Sequence, residues 1–217
     1  DPYAIRDFID FALNEWTMSP QYVVLVGDGT FDYKKNLEAF SVSVRNLMPV
    51  VMTFTPYGIY ASDLIYGNVD EDRLSDVVLG RIPAKTIAEV SDYVAKVITY
   101  EAGVPGARDN VLMVADNPDS TVSNNFPADS DDVSALVGGF TVDTLYYPGR
   151  TAAQMRSDFV AGVNSGEWLV NYIGHGGYDV MSNFFNTNHQ GLLTNGQFPI
   201  YVALTCLVGD FSYPWMD

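Results

Sequence analysis

One cysteine, Cys206, and two histidines, His175 and His189, stand in this chain of 217 residues. A single thiol excludes an internal disulfide and any multi-cysteine zinc site, and it leaves the redox compartment open. Basic residues are also scarce: Lys and Arg total 11 against 27 Asp and Glu, for a formal net charge of −16. Such a surface repels phosphates and argues against a nucleic-acid partner. It favours basic partners and divalent cations instead. No stretch approaches the roughly 20 apolar residues that a membrane-spanning helix needs, and there are no repeats or low-complexity tracts. The chain shows no basic segment, apolar run and cleavage site at its start. It opens inside a helix-like pattern, as an excised fragment does. Gly27-Asp28-Gly29 lacks both the spaced glycines and the lysine-serine end of a phosphate loop, so it reads as a tight turn near a site rim.

What is present suits a sizeable core, with 47% hydrophobic and 13% aromatic residues. Ile5, Phe8, Ile9, Ala12, Leu13 and Trp16 recur at helical spacing over residues 2–16. Pro2 fits the first turn, and Asp1 fits the N-cap. Residues 22–26 form a short continuous apolar run, the pattern of a strand buried on both faces. Further strands are predicted over 47–53 and 76–82, and a helix over 86–100. Residues 101–108, with two glycines and a proline, read as a linker. Beyond it the pattern restarts: strand 110–115, helix 130–137, strand 140–147, helix 151–163. The alternation predicts an α/β fold with a mostly parallel sheet and helices on both faces. Two subdomains follow, residues 1–105 and 106–217.

The second subdomain ends in two β-rich apolar runs, WLVNYIGHGG from Trp168 and PIYVALTC from Pro199. The first delivers His175 at its C-terminal tip, and the second delivers Cys206. Ligands of open parallel sheets sit outside the carboxyl ends of the strands, so the two residues are candidates for a base and a nucleophile. A thiol near its free pKa is only a few per cent thiolate, and a nearby imidazole supplies the missing help. Gly176 removes a side chain where a carbonyl must approach. Its N–H and that of Cys206 are candidate oxyanion donors. The competing expectation is a small buried cysteine, in a non-catalytic module that binds calcium or a protein. His189, in the polar stretch FNTNHQG, is the rival base.

Asn68, Asp70, Asp72 and Asp76 occupy positions one, three, five and nine of a calcium-loop pattern. Arg73 stands where such loops carry glycine, and no glutamate stands at position twelve. The alternatives are a structural Ca²⁺ site and an acidic turn.

The run Asn171-Tyr172-Ile173-Gly174-His175-Gly176, then Leu193-Thr194-Asn195, Pro199 and Cys206-Leu207-Val208-Gly209-Asp210-Phe211, resembles the gingipain-type cysteine peptidases (peptidase family C25). LVGDGTFDY from Leu25 and ASDLIYG…DVVLGRIP from Ala61 extend the resemblance over nearly the whole chain. The order of His before Cys is shared with caspases, legumains and clostripain. The resemblance implies a caspase-like α/β sandwich and endopeptidase cleavage through a thioester on Cys206. In it His175 is the general acid/base, and Gly176 and Cys206 are the oxyanion donors. It also implies a carboxylate behind the histidine; Asp116 takes that place, where gingipains carry glutamate. The gingipain aspartate that pairs with a basic P1 side chain aligns with Phe126 or Pro127, near Asp129, Asp131 and Asp132. A basic preference is therefore suggested by family and charge rather than by a residue. A sortase-like transpeptidase would use the same dyad.

Only eleven residues follow Cys206, whereas the implied fold continues past its nucleophile. The expectation is a truncated chain, or a second processed chain that completes the fold. An exposed sheet edge with Trp215 and Met216 beside it would follow. The implied substrate is a polypeptide, and the implied location is secreted or at the surface of a bacterial or archaeal cell.

Overall fold

The computed structural model describes residues 1–37, 46–103, 109–121 and 123–214. They divide into two compact units: Asp1–Val94 with the described residues from Asp210 onward, and Ala95–Gly209. The units part within the helix over residues 87–102, and the chain re-enters the first unit at Asp210. Residues 104–108 of the expected linker lie outside the described residues, as do Trp215 and Met216.

In unit 1, helix α1 (Pro2–Glu15) starts where Asp1 accepts the Tyr3 N–H, with proline in the first turn. Its buried Ile9, with Ile5 and Leu13, packs into a core with Leu25, Met48, Tyr66 and Val77. Strands β1 (Tyr22–Val26) and β4 (Val78–Ile82) pair in parallel, Tyr22 opposite Val78 and Val26 opposite Ile82. β1 is buried on one face only: Leu25 is buried, while Tyr22, Val24 and Val26 are exposed. The apolar run alone did not distinguish this from a strand covered on both sides. Between these strands lie a hairpin, β2 (Met52–Thr55) with antiparallel β3 (Gly58–Ala61), and the short helix α2 (Leu64–Gly67). The strand predicted over 47–53 is absent up to residue 51, and the hairpin begins only at Met52, beyond Pro49. Helix α3 (Ile87–Ala102) has the predicted apolar stripe yet buries no residue.

The polar anchor of unit 1 is Arg81, whose side chain is 5% exposed. Its Nε and Nη2 donate to the two carboxylate oxygens of Asp63, each at 2.7 Å. The guanidinium also donates to the carbonyls of Gly27, Met48 and Pro49. A buried cation is tolerable only with its donors spent in this way.

Unit 2 is built on a four-stranded parallel sheet in the order β10-β7-β5-β6. The elements are β5 (Asn110–Ala115), α4 (Phe126–Ser134), β6 (Thr141–Tyr146), α5 (Ala152–Asn164), β7 (Leu169–Ile173) and β10 (Ile200–Leu204). A small hairpin, β8 (Val180–Met181) with β9 (Phe185–Asn186), and a 3-10 helix (Thr187–Leu192) fill the connection from β7 to β10. Helix α5 begins with a capping box between Thr151 and Gln154. Its Met155, Phe159 and Val163 cover one sheet face with Leu112, Val114, Val170 and Tyr172. On the other face Ala115 and Ile173 meet Phe126 of α4. β5 and β7, covered on both sides, are the strands that read as continuous apolar runs. From β5 the chain steps to β6 on one side, then returns to β7 on the other. The crevice between the ends of β5 and β7 is therefore the switch point where ligands bind in such sheets.

Asp63→Ala leaves Arg81 buried without its carboxylate. We expect a loss of about 3 kcal/mol, seen as a lower urea midpoint for unit 1; a midpoint equal to the parent's contradicts the anchor.

Candidate active site

Register brings the site together. Ala115 pairs with Ile173, and Ile173 pairs with Leu204, so β5, β7 and β10 end at one level. The ladder continues one step further, with Asp116 N donating to Ile173 O (3.0 Å) and Gly174 N to Leu204 O (3.4 Å). Neighbouring strands lie about 4.8 Å apart, so Asp116, His175 and Cys206 leave the sheet side by side. Cys206 is exposed, not the buried small hydrophobe of the competing expectation.

The carboxylate of Asp116 is buried, but it does not touch the imidazole. One oxygen accepts the backbone N–H of His175 (3.2 Å) and the other that of Asn117 (2.7 Å). Asp116 thus fixes the turn, and the turn fixes the histidine. A Cβ on Gly174 would lie 2.5 Å from Asp116 Cβ, so only glycine lets the two loops approach. Tyr172 Oη donates to His175 O (2.7 Å), and burial raises its pKa far above the usual phenol value, keeping it a neutral donor.

The carboxylate that meets the imidazole is Asp119, whose Oδ2 lies 3.0 Å from His175 Nε2. No periodic pattern marked it in the sequence. Its local mark is the Asp119-Ser120-Thr121 turn, in which Oδ1 accepts from Thr121 N (2.8 Å) and Thr121 Oγ1 (2.6 Å). These bonds, with the histidine a lesser contributor, lower the Asp119 pKa below the ordinary aspartate range. The Phe126 ring meets the imidazole edge-on, 5.1 Å between centroids. With Nε2 directed at Asp119, a neutral imidazole keeps its proton there and presents the Nδ1 lone pair.

Cys206 follows a sharp turn of its own. Its carbonyl accepts Val208 N at 2.7 Å across Leu207, whose φ is +61°. This is a γ-turn of the strained hand, a backbone state costing on the order of 1–3 kcal/mol and held by its surroundings. Gly176 lies against it: a Cβ there would be 2.4 Å from Thr205 Oγ1 and 2.6 Å from Cys206 O. Gly176 also bridges Met181, flanked by bonds from Gly177 N to Val180 O and from Ser182 N to His175 O. In such a non-hydrogen-bonded pair, the N–H of Gly176 points away from its partner. Among the described residues, neither Gly176 N–H nor Cys206 N–H donates to a protein acceptor.

Other candidates lie elsewhere. His189 sits on the 3-10 helix, where Nδ1 accepts Asn186 N and Nε2 lies 2.9 Å from Arg156 Nη1. Its ring nitrogens are engaged there. Asp131 accepts from Tyr146 Oη (2.5 Å), and Asp129 and Asp132 are exposed along α4. Of Phe126 and Pro127, the two residues expected opposite the P1-pairing aspartate, Phe126 packs against the imidazole. In unit 1, Asn68, Asp70, Asp72 and Asp76 share one loop, and each accepts backbone N–H groups within it. Among the described residues no three His, Cys, Asp or Glu side chains converge as a metal site.

The depressed pKa of Asp119 has a clear sign: its favourable contribution is full above the unfolded pKa and disappears as pH falls through the folded value. We expect its carboxyl carbon to titrate below an ordinary aspartate by NMR, and Thr121→Val to move it upward; an unmoved titration contradicts the turn. Calcium at the Asp70 loop stays a proposal with its own test. A Tm rise of at least about 3 °C on adding Ca²⁺, removed by Asp70→Asn, supports it; a melt indifferent to Ca²⁺ and chelator rejects it.

Likeness to known proteins agrees with this geometry. Gingipain R (RgpB), an Arg-specific cysteine proteinase, is 24% identical and superposes with a TM-score of 0.71, over 96% of this chain and 46% of its own. The complex of Porphyromonas gingivalis RgpB pro- and mature domains gives 24%, 0.72, 96% and 47%. A third structure, described as a protease, gives 21%, 0.69, 96% and 44%. The fold is thus the gingipain-like α/β fold, and the chain spans just under half the length of these relatives. No curated protein matches the sequence. The model of Peptidase family C25 matches residues 1–217, and the chain belongs to that family.

Proposed function

We propose that the chain carries the acyl-transfer centre of a secreted or cell-surface cysteine endopeptidase. The observation that supports this best is the exposed Cys206, one strand away from an imidazole already paired with Asp119. His175 Nδ1 takes the thiol proton, and Cys206 Sγ attacks the scissile carbonyl carbon. The N–H groups of Gly176 and Cys206 receive the charge on the oxygen. As the tetrahedral species collapses, the C–N bond breaks and the imidazolium protonates the leaving amine. Water then attacks the thioester, with His175 taking its proton, and the carboxylate product leaves as the thiol is restored. Asp119 stabilises the imidazolium, and Asp116 holds the backbone that presents it. The charge of −16 and the likeness to an Arg-specific relative favour a basic residue before the scissile bond.

Alkylation tests the nucleophile directly. Iodoacetamide is expected to modify Cys206 faster in the folded chain than in urea, and His175→Ala is expected to abolish that excess. Peptide cleavage should fall by about 10²–10⁴-fold in His175→Ala and vanish in Cys206→Ala. A folded chain whose Cys206 reacts no faster than in urea sinks the proposal. Transfer to an added amine, read by product mass, would replace hydrolysis with transpeptidation on the same dyad.

A further inference from the structure

His175 stands in a run of glycines: Gly174 precedes it, and Gly176 and Gly177 follow. Gly174 and Gly176 are required by the close approach of Asp116 and of the cysteine turn. Glycine has more conformational freedom to lose than any other residue, so this backbone keeps one shape only where other groups hold it. The His175 side chain is 53% exposed, and packing on the ring supplies little of that restraint.

The restraint acts on the two backbone groups of His175 itself. Its N–H donates to Asp116 Oδ2 at 3.2 Å. Its carbonyl accepts twice, from Tyr172 Oη at 2.7 Å and from Ser182 N at 2.8 Å. Both donors are anchored. Tyr172 is fully buried on β7, in the core with Met155, Phe159 and Val170. Ser182 lies at the tip of the β8–β9 hairpin, with φ +46°. Phe184 fastens that tip, fully buried with its ring edge-on to Tyr147, Phe159 and Tyr172. Asn183 adds a polar tie, its Oδ1 accepting Tyr147 Oη at 2.6 Å. A Cβ on Gly174 would lie 2.6 Å from Tyr172 Oη, so the glycine that admits Asp116 also admits the phenol.

We infer that the Tyr172 hydroxyl is a positioning group for His175: Asp116 holds the N–H, Tyr172 holds the carbonyl, and the imidazole between them keeps its aim at Asp119. Being fully buried, Tyr172 does not touch substrate. The catalytic consequence rests on the peptidase reading of Cys206, whereas the pin itself rests on contacts wholly within unit 2.

The test uses the full chain and two matched variants. Tyr172→Phe keeps the ring and removes only the hydroxyl. Tyr66→Phe is its control: Tyr66 is equally buried, in the core of unit 1, and its Oη donates to Pro49 O at the same 2.7 Å. Each variant loses one buried hydrogen bond to a backbone carbonyl. Amide hydrogen exchange at residues 175 and 182 is read beside kcat and KM on a peptide and the rate of Cys206 alkylation. In Tyr172→Phe the two amides exchange about tenfold faster, the loss of one hydrogen bond from a local opening, while β5 keeps its protection. There kcat falls by about tenfold and KM holds within about twofold, because a misplaced reacting group acts on the chemical step. The alkylation rate of the folded chain falls with kcat. Tyr66→Phe lowers Tm by a similar amount and moves none of these readouts. Unchanged exchange at 175 and 182 in Tyr172→Phe overturns the inference. So does a loss of kcat that Tyr66→Phe reproduces, or one that only follows the unfolded fraction by near-ultraviolet circular dichroism. If the parent cleaves no peptide, the peptidase proposal fails separately, and exchange alone decides the pin.

Discussion

The parallel register that ends β5, β7 and β10 at one level is the constraint on which the site depends. Parallel ladders set all their C-termini at one rim, so three loops emerge there with only a strand spacing between them. From β5 comes Asp116, from β7 the Gly174-His175-Gly176 turn, and from β10 Thr205 and Cys206. A slip of one residue in β10 would turn each of its side chains to the other face. It would also carry Cys206 away from Gly176. The cores on both faces of the sheet therefore hold these residues together, because they fix the register.

Loops crowded this closely leave little room for side chains. Gly174 gives way to Asp116, and Gly176 gives way to Thr205 and Cys206. The two glycines differ in purpose. The first lets a buried carboxylate reach the His175 amide; the second lets the histidine turn lie against the cysteine turn. Acidic groups divide the work in the same manner. Asp116 spends its oxygens on backbone, and Asp119 reaches the imidazole. The contacts that the sequence led one to expect of Asp116 alone are thus shared between two aspartates.

Much of this was legible in the sequence because burial leaves a pattern. β5 and β7 are covered on both faces and read as unbroken apolar runs, and α5 announces itself with Thr151 and Gln154. His175, Gly176 and Cys206 stood out because each ends such a run. Asp119 was not legible: a polar residue in a polar loop has no periodicity, and its role arises from a turn with Thr121 and from where β7 happens to end. β1 was misread for the opposite reason. Its five residues are as apolar as those of β5, but a core forms on one face only, so three of the five are exposed. An apolar run reports what a strand tolerates, not what packs on it. The division into units was hidden similarly, since Arg81 and Phe211 lie far apart in sequence and meet only through tertiary packing.

Among the described residues four buried side-chain polar atoms have no partner, and two of them lie on the segments that present His175 and Cys206: Asn171 Nδ2 on β7, and Thr205 Oγ1 just beyond β10. A buried unpaired polar group costs about 1–3 kcal/mol, and Leu207 adds backbone strain a few residues away. Three unfavourable features thus gather along the two segments that present His175 and Cys206. Apolar replacements of similar shape would satisfy the fold better at Asn171 and Thr205. Such features are not confined to these segments, since Ser130 Oγ and Glu167 Oε2 are also unpaired among the described residues, but beside His175 and Cys206 they fit a conformation imposed by its neighbours instead of being the local optimum. The stability for this comes from the packed faces of unit 2, where both sides of β5 and β7 are covered.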